Sequence, residues 1–200
     1  MLPTVDDIEH ATVLAAMGGD RGSFDELATL WRPRLMAAVR GRVADAADAE
    51  DVAQQALARA WEKRSRFRPG ARLGPWLLTI AYRLAADRRR AAGRRRHHEG
   101  LAAGTLRLVA DPAPDAADVS ELWTTVRDTL DGDAYSMVWL VYREGLAVRE
   151  AARVLGRSAG SARVLLHRAR SRLAEPLAAW NDSAVPPAQN PCNPSPVGAS

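Results

Sequence analysis

Between Asp48 and Trp61 the apolar residues Ala49, Val52, Ala53, Ala56, Leu57, Ala60 and Trp61 recur at three- and four-residue intervals, with mostly polar residues between them. That spacing lays them along one stripe of a 3.6-residue helix and does not fit the two-residue alternation of a half-buried strand. Comparable stripes run through most of the chain: Phe24, Leu27, Leu30, Trp31 and Leu35; Leu73, Trp76, Leu77, Ile80, Ala81 and Leu84; Leu122, Trp123, Val126 and Leu130; Val148, Ala151, Ala152 and Leu155; Ala162, Leu165, Leu166, Ala169 and Leu173. Convincing alternation is found nowhere, so the expected class is all-α.

The local signals divide these stripes. Ser23 followed by Glu26 has the form of a capping box, Asp48 is placed to cap the next helix, Pro75 suits a first helical position and Gly93 a helix stop. Periodicity fades over residues 94–119, which hold Gly100, Gly104, Pro112 and Pro114. The expectation is two small helical domains, residues 5–96 and 120–177, joined by a flexible linker over 97–119 and followed by a disordered tail over 178–200, rich in Pro, Ala, Asn and Ser.

Charge narrows the function. The net charge of +4 conceals an uneven distribution: residues 63–96 carry 12 basic groups against the single acid Asp87, whereas residues 1–62 carry 6 basic and 11 acidic groups. A dense arginine block in a small helical protein favours nucleic acid over a merely solvated face. No apolar run nears the ~18 residues of a membrane span, and the acidic start, with Asp6, Asp7 and Glu9, has the wrong polarity for a secretion signal. The single cysteine, Cys192, excludes an internal disulfide and fits a reducing compartment, so the expected location is the cytoplasm. GxxxxGK, HExxH, GxSxG and Cys/His arrays are lacking, and His97 and His98 are adjacent, hence about 100° apart on a helix. An enzyme, a metal site and a cofactor are therefore not expected.

Two elements suit DNA. From Val148 to Leu173 a short apolar-faced helix ends at Leu155, Gly156 permits a left-handed turn, and Ser158 can cap a second helix. The outward positions of that second helix are Ser161, Arg163, Val164, His167, Arg168 and Arg170, the layout of a helix-turn-helix with a basic recognition helix. Upstream, Phe67, Trp76 and Tyr82 are interleaved with Arg66, Arg68, Arg72 and Arg83, a mixture suited to unstacked single strands, although Trp76 belongs to an apolar stripe and is expected in the core.

In this order the segments resemble extracytoplasmic-function sigma factors over roughly residues 10–177. Asp48-Ala49-Glu50-Asp51-Val52-Ala53-Gln54-Gln55-Ala56-Leu57 is similar to the family's signature helix, and the resemblance implies that Asp48, Glu50, Asp51, Gln54 and Gln55 dock on the β′ clamp helices of core RNA polymerase. Phe67, Trp76-Leu77, Ile80-Ala81, Asp87 and Arg90 are similar to the segment that melts and reads the −10 element, which implies roles there for Phe67, Arg72, Arg83, Asp87 and Arg90. Glu150-Ala151-Ala152 and Leu166-His167-Arg168-Ala169-Arg170 resemble the −35-binding helix-turn-helix, which implies base or phosphate contacts from Ser161, Arg163, Val164, His167, Arg168 and Arg170. The family usually has Asn at the position of Arg83, and a basic residue at that of Leu165. The implied partners are core polymerase (β′ clamp and β flap), promoter DNA and an anti-sigma factor, with no insertion into membranes. A stand-alone helix-turn-helix regulator is the alternative, but it leaves the Asp48–Trp61 helix and the arginine block without a role.

Overall fold

The computed structural model describes residues 10–98 and 117–181, and eight α-helices form among them, with no strand. The first domain comprises α1 (His10–Gly18), α2 (Arg21–Val39), α3 (Ala46–Glu62) and α4 (Leu73–His98), with 3-10 turns at Arg40–Arg42 and Arg64–Arg66. The second comprises α5 (Ala117–Thr129), α6 (Gly132–Val138), a π-turn at Trp139–Arg143, α7 (Val148–Val154) and α8 (Ala159–Asn181).

The stripes read from sequence become the core. In α3, Ala49, Val52, Ala53, Ala56, Leu57 and Ala60 are all buried. They face Trp31, Leu35 and Val39 of α2 and Leu77, Leu78 and Ala81 of α4 in one apolar cluster, where each fully buried Leu or Val contributes about 1.5–3 kcal/mol. Tyr82 is buried there too, and its hydroxyl donates to the Ala38 carbonyl at 3.0 Å, which satisfies the polar end of that side chain. Gly74 is required for space, since a Cβ there would come within 2.8 Å of the Trp31 ring.

Four helix ends differ from the sequence reading. Asp20, not Ser23, caps α2: its carboxylate accepts from the Ser23 amide at 2.7 Å, which places Ser23 inside the helix. Asp45, not Asp48, caps α3 by accepting from the Asp48 amide at 2.8 Å. In both cases a carboxylate three residues earlier caps an amide one turn ahead of those expected, so the helix begins a turn sooner. Helix α4 starts at Leu73, ahead of Pro75, and runs past Gly93 to His98. Gly93 is not among the glycines with positive φ, and without a left-handed residue nothing turns the chain there.

In the second domain Trp123, Tyr135 and Trp139 form an aromatic cluster, with the two indoles 4.7 Å apart between centroids. The domains also pack on each other, α7 against α4 and α6 against the Arg40–Arg42 turn. The linker expected at 97–119 and the tail at 178–200 fall largely outside the described residues.

Candidate nucleic-acid interface

The helix-turn-helix forms through backbone chemistry that its sequence supplies. At the end of α7 the Arg157 amide donates to Ala152 O at 2.8 Å and the Gly156 amide to Arg153 O at 3.2 Å, while Gly156 takes φ +65°. These paired bonds with a left-handed glycine are a Schellman closure, which stops α7 and redirects the chain. Ser158 then accepts from the Ser161 amide at 3.2 Å and opens α8. Ala162, Leu166, Ala169 and Leu173 are buried, with Leu165 half-buried, which fixes the rotation of α8 about its axis.

That rotation exposes Ser161, Arg163, Val164, His167, Arg168 and Arg170. Val164 is 51% exposed among the described residues, an apolar side chain standing on a basic face. Ser161, Val164 and Arg168 share one line at three- and four-residue spacing. Arg170 is set apart: its Nε donates to the Tyr142 hydroxyl at 2.5 Å, and its guanidinium lies 5.6 Å from the centre of the Tyr142 ring. It sits at the rim of a cavity of about 300 Å³ lined by Leu122, Trp123, Val126, Val138 and Leu177. Five of the six outward residues therefore remain a group, and the sixth is held toward α5 and the π-turn.

In the first domain Arg83, Asp87 and Arg90 are exposed and follow one another at four- and three-residue spacing along α4. Asp87 pairs with Arg90 at 2.5 Å. Phe67 does not join this face. It is only 8% exposed and meets Trp76 edge-on, with ring centroids 5.4 Å apart, so its ring belongs to the core of the loop. Arg72 is exposed at the start of α4 and lies 4.0 Å from Glu150 on α7.

On α3, Asp51, Gln54 and Gln55 are exposed, with Asp48 and Glu50 half-buried. Gln54 donates to Glu50 at 3.1 Å, one turn earlier. Arg88 of α4 bridges two of the acids, Asp48 at 2.9 Å and Asp51 at 2.7 Å. The acidic side of α3 is thus partly neutralised from within the fold, a pairing between separate helices that local spacing does not reveal.

Sequence reasoning also passed over Arg42, Asp133, Ser136 and Glu144, which join the two domains. Arg42 is 7% exposed; its Nε donates to Ser136 Oγ at 3.0 Å and its other arm pairs with Asp133, which Arg157 also holds. Glu144 accepts from Arg34 at 2.9 Å and from the Trp139 indole at 3.1 Å. Burial pushes the Asp133 carboxyl up, but Arg157 and Arg42 outweigh it, so its pKa lies below the usual carboxylate value. The one signal available was the Arg143-Glu144 pair, charges that close the apolar run from Met137 to Tyr142.

Among the described residues no group of three or more His, Cys, Asp or Glu side chains could hold a metal ion, and no helix is long and apolar enough to cross a membrane. Residues 27–95 match the Sigma-70 region 2 family and residues 130–173 the Sigma-70 region 4 family. The chain is 31% identical to the ECF RNA polymerase sigma factor SigD of Mycobacterium tuberculosis, over 87% of this chain and 86% of SigD. It is 29% identical to the probable RNA polymerase sigma factor RfaY of Xanthomonas campestris over 87% of its own length, and there it spans only 45% of the relative. Its fold is similar to that of the sigma factor RpoE from Bartonella quintana, solved in complex with the anti-sigma factor NepR: TM-score 0.64, 27% identity, 78% of this chain and 96% of that one. A stand-alone regulator is not favoured, because the likeness takes in both domains and not the helix-turn-helix alone. The chain belongs to the sigma-70 family of RNA polymerase sigma factors, in its extracytoplasmic-function group, whose members act in transcription initiation.

Proposed function

We propose that the chain directs core RNA polymerase to its promoters with three separate surfaces. The polar side of α3, chiefly Glu50, Asp51, Gln54 and Gln55 with Asp48 beside them, binds the β′ clamp, and the second domain meets the β flap. Arg83, Asp87 and Arg90 on α4, with Arg72 from the preceding loop, hold the non-template strand at −10. Phe67 shapes that loop from inside. Ser161, Val164, His167 and Arg168 read base edges at −35, where Val164 suits a thymine methyl and Arg168 a guanine edge, and Arg163 positions the helix on phosphates.

The observation that carries this reading is the uncovered basic face of α8, oriented by Ala162, Leu166 and Ala169 beneath it and by the Schellman closure before it. Opening the duplex costs on the order of 1–2 kcal/mol per base-pair step, which captured bases and a held strand offset. Two DNA-binding domains on one chain gain from effective concentration. The chemistry of RNA synthesis stays with the polymerase, so the chain needs no catalytic group of its own. It works in the cytoplasm, and an anti-sigma factor is a further partner, by analogy with the relative solved with one.

Footprinting on a promoter fragment tests the reading. Protection of both the −10 and −35 elements is expected only when core polymerase and the chain are present together; full protection by the chain alone would indicate a stand-alone regulator instead.

A further inference from the structure

The second domain holds a cavity of about 300 Å³ where α5, the end of α6 and α8 meet. Leu122, Trp123, Val126, Val138, Leu173 and Leu177 give it apolar walls. Val126, Val138 and Leu173 are buried, so the walls belong to the packed core of the domain. Apart from the Trp123 indole N–H, the polar side chains on the cavity are two, Arg170 and Tyr142, and they stand together at its mouth.

Arg170 Nε donates to the Tyr142 hydroxyl at 2.5 Å, which fixes a guanidinium beside a phenol. Tyr142 is 52% exposed, so the pair faces water while its ring borders the apolar walls. The phenol accepts in that bond, and its own O–H remains a donor. Arg34, Arg88 and Arg157 each pair with a carboxylate. Arg170 pairs with a neutral group, and among the described residues no acid compensates its charge. The π-turn carries Tyr142, closed by the Glu144 amide donating to Trp139 O at 3.1 Å. Such a widened turn is rare and recurs at functional sites.

A mostly apolar hollow with a few convergent polar groups is the form of a small-molecule site. The two parts of this one call for a single kind of ligand. The walls favour a hydrocarbon chain. The mouth offers the remaining N–H donors of Arg170, in the fork that matches a carboxylate. The volume stands at the low end of ligand pockets, roughly 300–1,000 Å³, which limits the chain to a medium length. We infer that the cavity binds a free medium-chain carboxylic acid, its chain between α5 and α8 and its carboxylate accepting from Arg170 and from the Tyr142 hydroxyl. A neutral alcohol of the same length forgoes the charge-assisted bonds. The inference does not depend on the function proposed above.

Calorimetric titration of the full chain at physiological salt tests it, with octanoate and 1-octanol as probes. Octanoate should bind saturably at one site per chain, and 1-octanol roughly tenfold more weakly. Arg170→Gln should weaken octanoate by roughly the same factor and leave 1-octanol unchanged, a split that general damage to the domain would not give. Ala174 lines the cavity and is exposed, so Ala174→Trp should fill the mouth and abolish binding of both probes. Helical circular dichroism and the melting temperature should stay unchanged in both variants. Three results would overturn the site. Octanoate that does not bind saturably leaves no ligand of this class. Binding of 1-octanol as tight as that of octanoate means that Arg170 reads no charge, and makes the hollow a groove for an apolar surface of a protein partner. Full octanoate binding by Ala174→Trp places the ligand elsewhere on the chain.

Discussion

Asp51 on α3 lies 2.7 Å from Arg88 on α4, and the same guanidinium reaches Asp48 at 2.9 Å. An acid proposed to bind polymerase is therefore already engaged within the domain. The two roles separate by mutation. Both side chains are substantially exposed, so the pair is worth only about 0–1 kcal/mol. Arg88→Gln should lower the melting temperature slightly and leave co-purification with core polymerase intact, because it frees Asp51. Asp51→Arg with Gln54→Ala should retain helicity by circular dichroism and abolish co-purification. Undiminished co-purification of that double variant would remove α3 from the polymerase surface.

For −10, Arg83 is the residue to test, since it stands on one face of α4 with Asp87 and Arg90. Arg83→Ala should reduce permanganate-detected melting more than it reduces closed-complex binding, because its contacts form with the opened strand. Equal losses in both assays would mean that Arg83 only clamps phosphate. Phe67→Ala should act differently. Its ring is packed on Trp76, so the loss is expected first in thermal stability, by about 3–5 kcal/mol if the loop cannot collapse around the gap.

Much of this was legible in the sequence for a physical reason. The stripe from Ala49 to Ala60 and the stripe from Ala162 to Leu173 became buried faces because helical period is a local property, and Gly156 became a left-handed turn because few other residues can. What stayed hidden depended on distant partners or on competition between equals. Arg42 has no local signal, because its partners Asp133 and Ser136 are 91 and 94 residues away. Arg170 looked like a sixth outward cation, yet Tyr142 draws it aside. Asp20 and Ser23 are both good caps, and the earlier one took the helix end.

Acid should act on two identified carboxylates. The Ser23 hydrogen bonds hold Asp20 below the usual carboxylate range, and Arg157 and Arg42 do the same for Asp133 against its burial. A depressed folded-state pKa means that the stabilisation is fully present above the unfolded value, about 3.9, and is lost as pH falls through the folded one. Asp133 faces Arg42 from the 3-10 turn, Arg157 from the α7–α8 turn and Arg89 from α4. The domain contact should therefore be unchanged from pH 8 to about pH 5 and loosen below about pH 4, read as a longer distance between spin labels at Arg59→Cys on α3 and Glu175→Cys on α8 in a Cys192→Ser background. Loosening near pH 6 would assign the transition to some other group. Asp20→Ala should lower the melting temperature at pH 7 and converge with the parent in acid.

At −35 the two kinds of contact leave different signatures. Losing a base contact should cost about 1–3 kcal/mol at one base pair and relax specificity there, whereas losing a phosphate contact should weaken all sequences alike and lower the salt slope by roughly one. Arg168→Ala should flatten discrimination at one position in a scan of −35 variants, and Arg163→Ala should shift every variant together. Arg170→Ala should resemble neither strongly while Tyr142 holds that side chain. Uniform weakening by Arg168→Ala would make α8 a phosphate clamp.

On the proposed function, this chain supplies promoter recognition to a polymerase lacking it. Run-off transcription measures that directly, with purified core polymerase on genomic promoter fragments, including the region upstream of the chain's own gene. Defined transcripts should appear only when the chain is added, and should disappear when either the −10 or the −35 element of an active fragment is replaced. No defined transcript from any fragment, or transcripts indifferent to both elements, would mean that the chain does not confer promoter recognition.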